Sequence, residues 1–305
     1  MKKVFLLITW LLCLNQAKSC DACGGSLGNT YFGLLPQMSS SFIGVNYSFA
    51  KFSAQMQYNS KVLEDEYSDD SFNRFEVTSM FTLYNRLQAS IILPFSFNQM
   101  SGSHQNIKDY GIGDPSVLLS YRFFDNSKDD KLSINHTLLV GVGIKLPFGR
   151  FDKQDDGVLV NQNFQLGSGS VDYIMSLNHT LMFENIGVNS DLSLKFNTQN
   201  DYGYKFGNQV TATSNIFWKM KISEAILMPL LGVYFEYGGI HNDGFVEQSN
   251  TGGEVLMSNT GAQILWNNFI LNASFKIPIH QRFNSDGIAV IIADNRLAFR
   301  LSYTF

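Results

Sequence analysis

Charge is scarce in this sequence. Asp, Glu, Lys and Arg make up 16% of its 305 residues, against about 25% in ordinary soluble domains. Long apolar runs are missing too. Beyond the first twenty positions the longest is roughly ILMPLLGVYF, residues 226–235, about half of what a membrane-crossing helix needs. If this chain enters a membrane it must do so as a closed barrel, the other way to leave no lipid-exposed backbone unpaired. No basic stripe is present and the net charge is -4, which excludes nucleic acid as an expected partner. What is plentiful is aromatic and small: 26 Phe, 13 Tyr and 25 Gly. That balance suits strands that touch something apolar over a wide area.

The first 19 residues read as a leader. Lys2 and Lys3 precede an apolar run from Val4 to Leu14, and Ala17-Lys18-Ser19 fits a small-x-small cleavage site. Removing Lys2, Lys3 and Lys18 from 22 basic residues leaves 19 against 26 acids, a formal charge of -7. Residues 20–38 follow as a Cys- and Gly-rich periplasmic lead. Its Cys20-Asp21-Ala22-Cys23 start is open to three readings: a local disulfide in an oxidising compartment, acylation of Cys20, or a metal site. Ala17 and Lys18 lack the apolar character of a lipobox, and no His lies near in sequence to complete a metal shell. The disulfide is the default.

From residue 39 to 305 period-2 segments recur with turn chemistry between them. The spacing predicts twelve strands at residues 40–56, 72–85, 87–98, 113–124, 132–147, 170–183, 188–197, 202–218, 224–238, 253–265, 268–278 and 294–305. One face is apolar throughout: Ile43, Val45, Tyr47 and Phe49 alternate with Gly44, Asn46 and Ser48. Short links (Asn85-Arg86, Glu184–Gly187, Lys219–Ser223, Trp266-Asn267, with a modest one at Asp125–Lys131) alternate with long polar ones at 57–71, 99–112, 148–169, 239–252 and 279–293. Only the link at 198–201 is short where a long one is due. This rhythm predicts an all-β, up-and-down antiparallel transmembrane barrel with tight turns at one rim and long loops at the other. An even strand number puts both ends at the tight-turn rim, the periplasmic side of such barrels.

A soluble sandwich or lipocalin-like barrel also alternates, with its apolar face inward. Three features favour lipid. The predicted strands match or exceed the roughly 9 to 11 residues of a tilted crossing. Tyr84, Tyr121, Tyr204, Trp218, Tyr237 and Trp266 gather near strand ends, as interface girdles do. The opposite face carries Glu76, Arg122, Lys145, Asp172, Lys195, Lys205, Lys276 and Arg300, too many charges for a dry core. These eight are the candidate lumen and constriction residues. The final phrase RLAFRLSYTF places Leu301, Tyr303 and Phe305 on alternate positions. They resemble the terminal signal that the barrel-assembly machinery of a Gram-negative cell reads.

Three segments carry a family resemblance: GIGDPSVLLSYRFF (111–124), GVGIKLPFGRFD (141–152) and FQLGSGSVDYIMSLN (164–178). They resemble the outer-membrane family named for the meta-pathway of phenol degradation. There a G-x-G-D stretch enters a strand ending Tyr-Arg-Phe, a later strand ends Lys-Leu-Pro, and a Gly-x-Gly-Ser segment opens the next. The usual Lys-Leu-Pro-Thr-Gly reads Lys145, Leu146, Pro147, Phe148, Gly149 here. The resemblance implies an outer-membrane transporter with small aromatic or apolar compounds as cargo. The residues themselves read first as structure. Gly111, Gly113 and Asp114 form a turn at a strand entry, with Asp114 as its cap and Pro115 beside it. Gly167 and Gly169 form a rim bulge or let the loop 148–169 fold into the lumen. Arg122 and Lys145 line a constriction or pair with Glu76 or Asp172 across the lumen.

Other chemistry is weaker. A lipid-facing hydrolase would need Ser and His in contact, oriented by Asn or a carboxylate. His136, His179 and Asn163 are present without a His-x-Ser strand pairing. Acids at Glu64-Asp65-Glu66, Asp69-Asp70 and Asp155-Asp156 lack EF-hand spacing and read as solvated loop charge. The expectation is therefore a porin-like channel for passive passage of small molecules, not an enzyme, with no cofactor. Its partners would be outer-membrane lipid, the assembly machinery and a small-molecule cargo. Loops 148–169 and 239–252 would set the pore. The alternative is a plugged structural or adhesive barrel that binds partners through its long loops.

Overall fold

The computed structural model describes residues 40–56, 65–84, 86–103, 106–127, 134–285, 287 and 289–305. The leader, the lead with Cys20 and Cys23, and Glu64 lie outside them. In chain order the strands are β1 (Phe42–Met56), β2 (Glu66–Leu83), β3 (Leu87–Gly102), β4 (Asn106–Ile112), β5 (Ser116–Asp125), β6 (Ile134–Lys145), β7 (Gln154–Asp155), β8 (Val158–Leu159), β9 (Asp172–Phe183), β10 (Ile186–Phe196), β11 (Tyr204–Lys205), β12 (Gln209–Trp218), β13 (Met220–Ile222), β14 (Ala225–Gly238), β15 (His241–Asp243), β16 (Val246–Gln248), β17 (Gly253–Trp266), β18 (Phe269–Phe283) and β19 (Ala289–Thr304).

Each main strand pairs antiparallel with its neighbour in the chain, β12 pairs β14, and β19 returns to β1 over the register Phe42↔Thr304 to Met56↔Ala289. The sheet is closed. Both β4 and β5 pair β3, so they are two halves of one stave, broken at Gly113-Asp114-Pro115. With that pair counted once, the barrel has twelve staves. Closure is what a chain in lipid requires, since it leaves no edge.

The side-chain pattern is inverted relative to a soluble barrel. Ile43, Val45, Val77, Leu93, Val142, Leu231 and Leu271 point outward and are exposed, while Asn189, Asn215 and Asn259 point inward and are fully buried. Water wets such a surface poorly; hydrocarbon wets it well. Inside, the polar groups meet each other: Asn189 Nδ2 donates to Thr180 Oγ1 at 2.9 Å and Asn259 Nδ2 to Asn215 Oδ1 at 2.7 Å. The second bond crosses over Gly232, which stands in register between those two strands and carries no side chain to block it. Tyr84, Tyr121, Trp218, Trp266 and Tyr303 are exposed at the tight-turn rim, and Tyr67, Tyr110, Tyr173 and Tyr237 toward the other.

Several expectations change. The barrel strands reach further than the period-2 segments. β2 begins at Glu66, β3 runs to Gly102 and pairs with β4, and β18 and β19 absorb most of 279–293. Two of the long links, 99–112 and 279–293, are therefore mostly sheet, and the end of a third, 66–71, is strand. Asp69 and Asp70 belong to β2 rather than to a loop, and Asp70 is buried inside. The stave expected from residue 202 begins at Gln209, so the link between β10 and β12 spans 197–208 and is long where the sequence pattern predicts a short one. Tyr204 consequently leaves the girdle: it is buried in a three-stranded loop sheet of β11, β15 and β16.

Candidate functional site

The loop between β6 and β9 enters the barrel. Its short 3-10 turn, Gln162–Phe164, is buried, and Phe164 is wholly shielded. The Phe164 ring meets Phe72 of β2 at 5.1 Å, and Asn98 Nδ2 of β3 donates to the Phe164 carbonyl at 3.3 Å. Phe164 and Val160 pack with Phe52, Phe72, Met100, Ile107, Val255 and Met257. The loop thus carries an apolar knuckle onto a patch of the inner wall. Internally, Gln165 bridges its own loop, donating to the carbonyls of Lys153 and Val160 at 3.0 Å and accepting from Lys153 N–H at 3.0 Å.

What holds the loop ends is a clasp built on Asp114. Its carboxylate accepts from Gly149 N–H at 2.9 Å, from Ser168 N–H at 2.8 Å and from Ser168 Oγ at 3.0 Å. It also pairs with Lys145 at 2.8 Å, and Lys145 reaches Asp172 at 2.7 Å. The two loop ends touch backbone to backbone: a Cβ on Gly149 would lie 2.7 Å from the Gly167 Cα. The φ of Gly169 is +70°, a value that favours glycine. The G-x-G-D, Lys-Leu-Pro and Gly-x-Gly-Ser segments, separate in sequence, therefore form one structure. Asp114 does more than cap its own turn, and Gly167 and Gly169 serve the inward fold of the loop rather than a rim bulge.

Below the clasp lies a cavity of about 110 Å³ lined by Lys195, Gln162, Asn163, Ile174 and Phe206 among others. A second, of about 60 Å³, is lined by Asn46, Glu76, Tyr234, Lys276, Arg296 and Arg300. Here Arg296 Nη1 and Tyr234 Oη both donate to Glu236 Oε2 at 2.6 Å, and Lys276 stands over the Tyr234 ring at 4.0 Å. Glu76 accepts from Asn46 at 3.0 Å and pairs with Arg74 at 3.0 Å. At the tight-turn end part of the inner wall becomes apolar. Phe217, Met228 and Leu230 form one buried group and Phe42, Met80 and Ile270 another, with Leu265 packed against both.

Of the eight expected lumen charges, Glu76, Lys145, Asp172, Lys195, Lys276 and Arg300 line these two cavities. Arg122 is buried at the tight-turn end and pairs with Asp125 at 2.7 Å, its neighbour on the same strand, not with Glu76 or Asp172. Lys145 and Asp172 do pair, but as in-register neighbours on β6 and β9 rather than across the lumen. Lys205 is exposed in the loop sheet, away from the barrel wall. His136 and His179 stack at 5.6 Å on the outer face, while Asn163 is inside the barrel. The two histidines of the hydrolase reading meet each other, and Asn163 joins neither. Glu236, Arg296 and Tyr234 were missed because their partners are 60 or more positions apart or lie on a strand that reads as apolar. In the loop sheet, Tyr204 Oη and His241 Nδ1 lie 2.8 Å apart, and burial, with the Lys195 cation adding to it, pushes the imidazole down to about 4.

A closed twelve-stave barrel with an apolar exterior, polar lumen and inward loop defines a β-barrel of the outer-membrane class. The chain belongs to the family described as "Putative MetA-pathway of phenol degradation", which matches residues 64–290. That match reaches well beyond the block that carried the resemblance. No curated protein matches the chain. Among solved structures it is similar to an outer membrane channel of Pseudomonas putida F1, with a TM-score of 0.60 and 15% identity over 87% of this chain and 96% of that one. It is also similar to the beta domain of the Bordetella autotransporter BrkA, with a TM-score of 0.51 and 9% identity over 87% and 100%. At these identities what is shared is the fold.

Proposed function

We propose that this protein is a passive channel of the outer membrane for small aromatic or apolar molecules. The observation that carries the reading is the lumen itself: cavities of about 110 and 60 Å³, an inward loop at the long-loop end, and an apolar girdle at the other. Hydrophobic constrictions exclude hydrated ions by dewetting while admitting apolar solutes, so ring compounds would cross where salt does not. The family's phenol-degradation label supports that cargo class, and the similar channel from Pseudomonas putida F1 shares the fold. The tight-turn rim, with both ends of the barrel, would face the periplasm, and Leu301, Tyr303 and Phe305 would be read during assembly. The cavities and the charged groups that line them support transport rather than catalysis as the activity.

The shielded apolar girdle also favours a second reading, a plugged barrel that acts through its loops. Liposome swelling separates them. Proteoliposomes should swell faster than empty vesicles with phenol-sized solutes, and faster still once the loop turn Asn161–Leu166 is replaced by a short Gly-Ser link. If neither the intact nor the shortened barrel changes permeability, the channel reading fails and the plugged one stands.

A further inference from the structure

The loop tip and Lys195 leave unsatisfied chemistry that the clasp does not explain. Asn163 is 3% exposed, and both its Oδ1 and its Nδ2 lack a hydrogen-bond partner. Gln162 Oε1 beside it is likewise buried and unpartnered. Both side chains line the larger cavity, and Lys195 enters it from the wall strand β10. Lys145, the neighbouring cation, is fully engaged by Asp114 and Asp172. Lys195 makes no ion pair with any described residue. Buried amides without partners cost about 1–3 kcal/mol each, and the two carboxylates that line the same cavity, Asp114 and Asp172, are both held by Lys145 rather than by Lys195. A fold that keeps three such groups around one space is built for something that enters it.

The geometry points to a binding station for a hydroxylated aromatic carboxylate in this cavity. Lys195 would take the carboxylate. The Asn163 amide, which offers a donor and an acceptor side by side, and the Gln162 oxygen would take a hydroxyl, which itself both donates and accepts. Ile174, Leu166 and Phe206 supply apolar wall for a ring. A cavity of about 110 Å³ holds roughly four waters at the share each takes in the liquid, which limits the occupant to a single ring and excludes a disaccharide. This names the cargo of the proposed channel and rests on that reading only for what happens after binding.

The test is equilibrium binding to the full-length barrel in detergent micelles, where no open pore is needed. The probes are 4-hydroxybenzoate, benzoate and phenol. Intact protein should bind 4-hydroxybenzoate about tenfold more tightly than either of the others, the worth of one good polar contact. Lys195→Met should erase the advantage over phenol and spare that over benzoate; Asn163→Ala should do the reverse. Equal affinity for all three probes, no binding to the intact protein, or variants that leave both preferences unchanged would overturn the station. The probe series on the intact protein decides the matter even where a variant fails to fold. Discriminating binding without solute flux would instead sink the channel and leave the station standing.

Discussion

Asp114 shows how far a single residue's role can be read from its neighbours in sequence. Gly111, Gly113 and Pro115 around it spell a turn at a strand entry, and that is where it sits. Its partners Gly149 and Ser168 lie 35 and 54 positions away, a distance over which no local pattern speaks. Removing a buried carboxylate from its cation and donors costs about 3 kcal/mol. Here Lys145 keeps Asp172, so the loss falls on the loop rather than the barrel. Asp114→Ala should release loop 148–169, and trypsin reports it, since Arg150 and Lys153 lie in that loop. Cleavage there should quicken by about a hundredfold where reclosing is fast, with barrel secondary structure by circular dichroism unchanged. Cleavage no faster than in the intact protein would show that the Phe164 knuckle alone holds the loop.

At the scale of elements, alternation made the staves legible, because lipid outside and polar side chains inside impose opposite chemistry on successive residues. The strand ends were not legible: Asp69 adjoins Asp70, and His280, Gln281 and Arg282 run together, so the period-2 alternation fades in β2 from Glu66 and in β18 through Phe283 although the pairing continues. The same physics sets a prediction for Leu231, outward and mid-strand on β14. Leu231→Lys should destabilise folding into lipid bilayers by about 2–4 kcal/mol, measured by urea titration of refolding yield. An effect under about 1 kcal/mol would mean that this face does not meet hydrocarbon. The loop sheet makes a second. His241 is held neutral down to about pH 4, whereas in an opened sheet it would ionise near 6.5. Its folded pKa lies below its unfolded one. The sheet is therefore fully stable above pH 6.5 and loses stability as pH falls from there to about 4, by up to about 3 kcal/mol. Hydrogen exchange in β11, β15 and β16, taken relative to the intrinsic amide rate at each pH, should rise over that window in the intact protein and stay flat in His241→Gln. Parallel rises in both would assign the effect to other acids.

For the whole molecule, the sequence pattern conveys a barrel but not how its bore is closed, because what fills a lumen depends on which side chains face each other across it. The loop narrows one end with Phe164. The other end carries a partial ring, Phe42, Met80, Phe217, Met228, Leu230, Leu265 and Ile270, on β1, β2, β12, β14, β17 and β18, strands far apart in sequence. If this ring is the ion barrier, the intact protein in a planar bilayer should pass little current although its lumen is polar. Making the ring wettable removes the dewetting penalty without altering the fold's closure. Phe217→Ser with Leu230→Ser should then produce steady conductance, while opening the clasp through Asp114→Ala alone should not. The double variant will lose core packing, by about 3–5 kcal/mol for the Phe and about 2–5 for the Leu, so its heat-modifiable migration serves as the control for folding. Current through the clasp variant and none through the folded double variant would move the barrier from the apolar ring to the loop.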